Sequence, residues 1–170
     1  KRQAKGLRPA LDAAEQAGCI VDVVAVNHGS FDRTGKVLDA LAQEDPRWRV
    51  VHLARTMESK KEALAAGIAK SQGDVLVLLD ADCVPVDASW LANMTQGAGT
   101  AWDVGVGISL PLTSDSMSFL TRIQRLEARR LAQRAVGAVD AGQSYLAFGR
   151  NLAFTRDIWT RVGGFDAHLD

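Results

Sequence analysis

The pattern of apolar and polar positions divides the chain into helices that alternate with short apolar strands. The first helix is indicated by apolar residues at helical spacing, namely Leu7, Leu11, Ala14 and Ala17. Gly18 follows this stripe and is placed to end the helix, because glycine adopts the conformation of a helix C-cap without strain. Apolar runs rich in β-branched residues predict strands over 20–26, 49–53 and 75–79.

Helical periodicity recurs between these strands and after them. It predicts a helix over 34–42, capped by Thr34, and another over 59–71, ended by Gly73. The later part of the chain predicts, in order, a strand over 104–108, an amphipathic helix that begins near Phe119, a strand over 152–154 and a last helix near Ile158. Trp90 and Trp159 are expected to be core anchors.

Strands separated by helices of this length predict an α/β fold with a mostly parallel sheet and helices on both faces. Ligands of such sheets bind at the carboxyl ends of the strands. Two turns of polar composition, 27–34 and 80–85, follow predicted strands directly. We therefore expect the functional site to lie at these two turns.

Composition narrows the class of protein. The 170 residues include 20 Lys+Arg and 20 Asp+Glu, a balance that argues against a nucleic-acid partner. No apolar run approaches the ~18 residues of a membrane span. Cys19 and Cys83 fit no zinc or redox spacing, so we expect buried thiols in a reduced, cytoplasmic compartment.

Two carboxylates, Asp80 and Asp82, come directly after the most apolar strand. Carboxylates so close together repel each other unless a cation or a hydrogen-bond donor lies between them. A hard divalent cation bound there bridges phosphate oxygens, which points to chemistry on a diphosphate. The alternative interpretation is a pair of solvated loop aspartates.

Three segments together resemble one protein family. The stretch Glu58–Met94 contains K-x-x-A-L, an apolar strand, D-A-D, a proline and W-L. NHGSFDRT at Asn27–Thr34 is similar to a D-D-G-S-x-D-x-T turn, and Gly149–Asp166 is similar to a G-x-N-x-A-F…G-G-F-D segment. In this order and spacing they resemble a family 2 glycosyltransferase domain truncated at both ends, without its first strand.

The resemblance implies the fold called GT-A, a three-layer α/β/α sandwich. It implies a single, partial domain over 1–170, with 1–96 as the nucleotide-binding half and 97–170 as the start of the acceptor-binding half. It also implies that a sugar moves from a nucleotide-diphosphate donor, of the UDP or GDP type, to an acceptor hydroxyl with inversion. The acceptor would be a saccharide or lipid-linked, in keeping with the synthesis of cell-envelope polysaccharides.

The resemblance also assigns roles. It makes Asp82 a ligand of Mg²⁺ or Mn²⁺, Asp80 a residue near the ribose and the metal, and Lys60 a residue near the nucleotide. Gly149 and Asn151 would line the acceptor side. Two further segments match the family pattern without a ligand contact, namely Asp32 as a turn-structuring residue and Gly163–Phe165 as the turn towards the catalytic base.

Two departures from the family pattern affect the site. Asn27 and His28, followed by Ser30, occupy a turn where the family has two acids, one of which accepts a hydrogen bond from the nucleobase. Both side chains can still accept, so a nucleotide contact is expected without a preference for one base. The catalytic base is expected beyond Asp170, because neither His168 nor Asp170 sits where the family motif places it.

The amphipathic helix from Phe119 carries five arginines between Arg122 and Arg134. Such a helix suits an anionic membrane surface or a partner helix, and a packing helix with a charged outer face is the alternative. Membrane association at the inner face is therefore an open expectation for the full-length protein.

Other functions compete with glycosyl transfer. A nucleotidyltransferase uses similar metal–diphosphate chemistry, but no Gly-rich basic loop is evident. A receiver domain shares the apolar strand, the aspartate and the proline of Val75–Pro85, but the required downstream lysine is missing. The changes at Asn27 and His28 also leave a nucleotide-sugar-binding domain without catalysis open.

Overall fold

The structure, a computed structural model, describes residues 2–54, 59–112, 118–143 and 149–165. Helices and strands alternate along most of this length. The elements are α1 (Arg2–Gln16), β1 (Val23–His28), α2 (Thr34–Glu44), β2 (Trp48–Leu53), α3 (Lys60–Lys70), β3 (Val75–Leu79), α4 (Trp90–Thr95), β4 (Val104–Val106), α5 (Phe119–Asp140), β5 (Asn151–Thr155) and α6 (Arg156–Arg161).

The strands form two ladders rather than one mostly parallel sheet. β1 and β2 pair in parallel, with Asn27 opposite His52. β3 and β4 both pair with β5, which runs antiparallel to each of them, and Leu79 of β3 lies opposite Asn151. The α/β class is confirmed, but the expected parallel direction holds for β1 and β2 and fails for β5.

The end of α1 agrees with the prediction from the sequence, whereas the start of β1 does not. Gly18 adopts φ +86°, and its N–H and that of Cys19 bond back to α1 carbonyls, so the predicted C-cap is confirmed. The strand begins three residues later than predicted, and Ile20 is fully exposed. The reason is that the ladder with β2 starts only at Val23, opposite Trp48.

Capping differs between the next two helices. Ser59 caps α3 by accepting a hydrogen bond from the Glu62 N–H, at the start predicted for this helix. Thr34 does not cap α2, because it is already the first helical residue. The Thr34 N–H donates instead to Asp32 Oδ1 at 2.9 Å, so Asp32 organises this turn as expected.

Two apolar clusters hold the elements together on opposite faces of β3. Leu79 belongs to the first cluster, whose buried members are Ala4, Leu7, Leu11 and Trp48. Leu76 and Leu78 belong to the second, with Ile68 of α3 and Phe154 of β5. Because alternate strand residues face opposite sides, β3 is covered on both faces.

Both tryptophans are core anchors, as predicted. Trp90 packs against the first cluster. Trp159 stacks on Phe154 at 5.6 Å between ring centroids and meets the edge of Phe165 at 4.7 Å.

Candidate functional site

The D-A-D turn is held in place from three directions. The Asp80 N–H donates to the Arg150 carbonyl at 3.3 Å. The Asp80 carbonyl accepts from Gln3 Nε2 at 2.8 Å and from the Cys83 N–H at 2.9 Å. Contacts from α1, from the segment before β5 and from within the turn therefore fix the backbone and leave the carboxylate of Asp80 for other partners.

Lys60 and Asp80 form an ion pair at the end of β3. Lys60 Nζ lies 2.5 Å from Asp80 Oδ1, and their side chains are 63% and 32% exposed. The lysine reaches the turn because Ser59 starts α3 at this edge, with Lys60 as its first residue. The structure thus brings together two of the predicted nucleotide-binding residues, and the ammonium offsets one of the two negative charges.

Asp82, two residues later in the same turn, is exposed. Its Oδ1 lies 3.7 Å from Cys83 Sγ. Burial, and then the negative charges of Asp82 and Asp80, raise the pKa of the Cys83 thiol. Cys83 is half-buried and Cys19 is exposed, so the expectation of two buried thiols is wrong for Cys19, which lies beyond the end of α1.

The turn provides donors of the kind that Mg²⁺ and Mn²⁺ prefer. Carboxylate oxygens suit hard cations, and Mg²⁺ typically binds one or two carboxylates and takes its other ligands from water and substrate phosphates. Within the described residues, no cluster of three or more His, Cys, Asp or Glu side chains is placed to hold a metal. The residues present therefore fit a cation shared with a phosphate ligand rather than a closed protein cage.

The first turn, residues 27–34, lies at the carboxyl end of β1, next to the carboxyl end of β2. Asn27 is buried, and its Oδ1 accepts from the Ser30 N–H at 3.3 Å. Its Nδ2 lies 3.0 Å from His52 Nδ1. Gly29 adopts φ +61° and donates to the Leu53 carbonyl, which turns the chain sharply after the strand.

His28 ends β1 beside Asn27. Its Nε2 atom is buried and has no hydrogen-bond partner among the described residues. A buried ring nitrogen without a partner carries a desolvation cost, so this imidazole is open to a further hydrogen bond. Contacts of Asn27, His28 and Ser30 with a nucleotide stay predictions.

A cleft of about 470 Å³ joins the two turns. Asp32 and Thr34 line it on one side, Ala81 of the D-A-D turn lines it on another, and Gln3 of α1 contributes to its wall. Its volume falls within the range of small-molecule sites. Hydrogen bonds from the Thr34 side chain and N–H lower the pKa of Asp32, so this wall of the cleft keeps its negative charge.

The predicted acceptor segment packs directly beside the D-A-D turn. Asn151 is buried, its Oδ1 accepts from Trp90 Nε1 at 3.2 Å, and its Nδ2 donates to the Ile108 carbonyl at 3.4 Å. Both ends of this amide thus hold the strand against its neighbours. Gly149 is exposed two residues earlier, and contact of either residue with an acceptor stays a prediction.

The turn towards the expected base is described as far as Phe165. Gly163 and Gly164 have φ angles of +76° and +86°, which residues other than glycine rarely adopt. His168 and Asp170 lie outside the described residues.

Sequence reasoning missed several residues that build this site. The Gln3 side chain and the Arg150 carbonyl hold the backbone of Asp80, and such contacts leave no mark on a hydrophobic pattern. His52 could have been found, because the parallel register of β1 and β2 places it opposite Asn27.

Sequence comparisons find relatives among known proteins. An undecaprenyl-phosphate 4-deoxy-4-formamido-L-arabinose transferase of Pseudomonas aeruginosa is 33% identical over 76 residues, which are 45% of this chain and 22% of that protein. A beta-monoglucosyldiacylglycerol synthase of Synechocystis sp. is 32% identical over 113 residues, which are 62% of this chain and 22% of that protein. The chain thus spans only about a fifth of the length of these relatives.

A solved structure shares the fold. A mannosyltransferase of Pyrobaculum calidifontis, in complex with GDP-Man and Mn²⁺, superimposes with a TM-score of 0.62 at 20% identity. The match covers 98% of this chain and 45% of that one. The expected GT-A type of α/β fold is therefore supported, and the identity is too low to carry more than the fold.

A family model decides the assignment. The model for glycosyl transferase family 2 matches residues 1–162, nearly the whole chain. The match confirms the resemblance of the three motifs and favours the transferase over the receiver and nucleotidyltransferase alternatives. The chain belongs to glycosyl transferase family 2.

Proposed function

We propose that this chain binds the donor of a glycosyltransferase that moves a sugar from a nucleoside diphosphate to an acceptor hydroxyl. The observation that carries the proposal is the arrangement of Lys60, Asp80 and Asp82 at the carboxyl end of β3, beside the cleft. Ligands of open α/β sheets bind at this edge. The family pattern adds that the sugar is displaced directly, with inversion of its anomeric centre.

Each residue of this edge has a distinct part in binding the donor. Asp80 and Asp82 would hold Mg²⁺ or Mn²⁺, which when bound neutralises charge developing on the leaving diphosphate. The Lys60 side chain is 63% exposed and long, so its ammonium can move from Asp80 to a phosphate oxygen as the donor enters. Gln3 and Arg150 keep the turn rigid during this exchange.

The nucleoside is expected to occupy the cleft between the two turns. Asp32 and Thr34 line that cleft together with Ala81, the residue between the two aspartates. A nucleotide seated there has its diphosphate next to Asp80 and its base towards α2. UDP and GDP types both remain candidates, because His28 Nε2 is open to a hydrogen bond and an imidazole nitrogen can donate or accept.

A lipid-linked acceptor fits the unusual patterning of α5. The half-buried positions of this helix are a stripe of small or polar residues, among them Thr121, Ala128, Ala132 and Ala135. Large apolar residues face outwards: Phe119 is 79% exposed, and Leu126 is 50% exposed. A helix that packs only against its own domain has the opposite arrangement.

Charge and shape support an anionic lipid surface as the partner of α5. Five arginines and one glutamate lie between Arg122 and Arg134. An apolar groove of about 650 Å³ runs along the same helix, with Arg129 beside Ile108 and Leu110. Interfacial helices combine apolar burial with attraction between arginines and anionic headgroups, here at the inner face of the membrane.

Among the described helices, none is both long enough and apolar enough to cross a bilayer. The proposal concerns contact of α5 with the membrane surface. It is tested by flotation with vesicles of phosphatidylglycerol and phosphatidylcholine, with Leu126→Glu as the variant and Val86→Glu as the control, since Val86 is 91% exposed outside α5. We expect Leu126→Glu to lose binding to the anionic vesicles and Val86→Glu to keep it. Equal flotation of both variants would refute the role of α5.

Donor binding is tested by thermal unfolding with UDP-glucose or GDP-mannose, each with Mn²⁺. A ligand at about 100 times its Kd adds ~2.7 kcal/mol, which raises the Tm of a domain of this size by roughly 5–10 °C. We expect this rise with one donor, a smaller rise for Lys60→Met, and the full rise for Lys70→Met, which removes an exposed lysine from the other end of α3. If neither donor shifts the Tm of the wild-type chain, the proposed function is wrong.

A further inference from the structure

A chain of hydrogen bonds runs from α2 through β2 to the first turn. Asp39 Oδ1 lies 2.8 Å from His52 Nε2. His52 Nδ1 lies 3.0 Å from Asn27 Nδ2, and Asn27 Oδ1 accepts from the Ser30 N–H at 3.3 Å. Asp39 and His52 belong to none of the three family motifs, and neither lines the cleft.

The donor and the acceptor of each of these three hydrogen bonds can be assigned. The Ser30 N–H can only donate, so the atom of Asn27 that it meets is the carbonyl oxygen. The amide nitrogen therefore points to His52 and donates to Nδ1, which must carry no proton. The proton of His52 then sits on Nε2 and is donated to the Asp39 carboxylate.

The Asn27 amide is also closely surrounded. A Cβ built on Gly35 would lie 3.1 Å from Asn27 Nδ2 and 3.5 Å from His52 Cε1, so the backbone at the start of α2 approaches this pair closely. Asn27 is buried, with 8% of its surface exposed. A buried amide held at both ends keeps one orientation.

The same geometry explains an asparagine at a position where the family carries an acid. An aspartate at 27 has no donor for His52 Nδ1, so the imidazole would need a proton on each ring nitrogen, between the carboxylates of residues 27 and 39. With Asn27, a neutral His52 satisfies the whole chain of hydrogen bonds. Asn27 and neutral His52 are therefore a matched pair.

We propose that Asp39 and His52 are positioning residues of the first turn, residues 27–34, which act through Asn27 to fix the backbone at Ser30. The inference rests on the proposed function for its consequence, because the turn so fixed leads into the wall of the cleft at Asp32. The hydrogen-bond chain itself is independent of the ligand. Its tests therefore include readouts that need no nucleotide.

The first test is the tautomer of His52, read from long-range ¹H–¹⁵N correlations of the 170-residue chain. The His52 signals are assigned by their loss in His52→Asn. We expect the Nε2–H tautomer in the wild-type chain and in Asp39→Ala, because Asn27 alone requires an unprotonated Nδ1, and two ring protons in Asn27→Asp. Asp39 has a half-exposed side chain, so its replacement leaves the fold intact. The Nδ1–H tautomer in the wild-type chain would overturn the inference.

The second test is hydrogen exchange at the Ser30 amide. His52→Leu removes the acceptor for Asn27, and we expect exchange to be roughly fivefold faster, as for the loss of one hydrogen bond. His52→Asn provides an oxygen where Nδ1 lay and should restore slow exchange. Glu44→Ala, an exposed change on the same helix as Asp39, should have no effect. Unchanged Ser30 exchange in folded His52→Leu would contradict the inference.

The third test measures the affinity of the wild type and the two His52 variants for UDP or GDP in the presence of Mn²⁺. We expect the affinity to fall roughly fivefold in His52→Leu and to recover in His52→Asn. If the wild-type protein binds neither nucleotide, the proposed function is wrong. The tautomer and hydrogen-exchange results would still show whether the hydrogen bonds from Asp39 through His52 and Asn27 to Ser30 are as inferred. Equal affinity in the two His52 variants would refute the positioning role in donor binding.

Discussion

Replacing Arg47 by alanine should both destabilise the domain and loosen the contact of α1 with the D-A-D turn. Arg47 Nη2 lies 2.7 Å from Asp45 Oδ2, and Nη1 lies 2.7 Å from Asp12 Oδ1 and 3.0 Å from Glu15 Oε2. The guanidinium thus joins α1 to the loop before β2. Gln3, which also belongs to α1, donates to the Asp80 carbonyl. The ion pairs of Arg47 therefore help to hold α1 where Gln3 contacts the D-A-D turn.

The expected magnitude follows from the exposure of each partner. Asp12 and Glu15 have side chains about half exposed, 49% and 47%, so their ion pairs contribute little. The side chains of Arg47 and Asp45 are 14% and 9% exposed. Truncating one member of a buried pair leaves the other charge without compensation, which costs about 3 kcal/mol.

The assay is urea unfolding followed by tryptophan fluorescence. With an m-value of roughly 2 kcal/mol/M, Arg47→Ala should lower the midpoint by about 1.5 M. Arg161→Ala is the matched control, because its pairs with Asp103 and Asp157 lie at the surface, and it should cost less than about 0.5 kcal/mol. Asp45→Asn added to Arg47→Ala removes the uncompensated charge and should recover part of the loss.

Two results would refute this reasoning. A loss below about 1 kcal/mol for Arg47→Ala would mean that Asp45 is solvated once the guanidinium is gone. Strictly additive effects of the Asp45 and Arg47 substitutions would mean that the two side chains are not coupled.

Further predictions concern packing and acid stability. Gly107→Ala should cost about 1–3 kcal/mol in urea unfolding, because the added Cβ would lie 2.2 Å from Asn151 Nδ2; an unchanged midpoint would contradict this close contact. Gly137→Ala should instead stabilise by up to about 1 kcal/mol, since this glycine lies inside α5 with no atom within 4 Å of the added Cβ; a loss of stability would show a hidden contact. The hydrogen bond from Arg47 lowers the pKa of Asp45 below its ordinary value of 3.8, so its stabilisation is complete above that pH and is lost as the pH falls through the folded pKa. Asp45→Asn should therefore weaken the pH dependence of the unfolding midpoint below pH ~4, and an unchanged acid profile would contradict that role.

The sequence predicted the elements better than their arrangement. The run 75–79 matches β3 at both ends, because five apolar residues bounded by polar ones leave no other register. The direction of β5 could not be predicted, since periodicity records which side chains are buried and not which way a strand runs. The start of β1 was missed for a related reason: Ile20 is β-branched but lies outside the ladder with β2.

The same contrast holds for the site. Asp80 and Lys60 were predicted from motifs and meet at 2.5 Å, because strand ends and helix starts converge on one edge. The contacts of the Gln3 side chain and the Arg150 carbonyl with the Asp80 backbone depend on tertiary packing alone. His52 is an intermediate case: its contact with Asn27 can be predicted once the parallel pairing of β1 and β2 is known, but not before.

Calorimetric titration with UDP and with GDP, each in Mn²⁺ and in EDTA, tests most directly whether the D-A-D turn binds a metal–diphosphate group. The wild-type chain should bind one nucleotide in Mn²⁺ and lose it in EDTA. Asp82→Asn should abolish this binding, whereas Asp87→Asn should keep it, because Asp87 caps its own turn through Ser89 outside the D-A-D motif. Binding that persists in EDTA, or that is equal in Asp82→Asn and the wild type, would contradict the account.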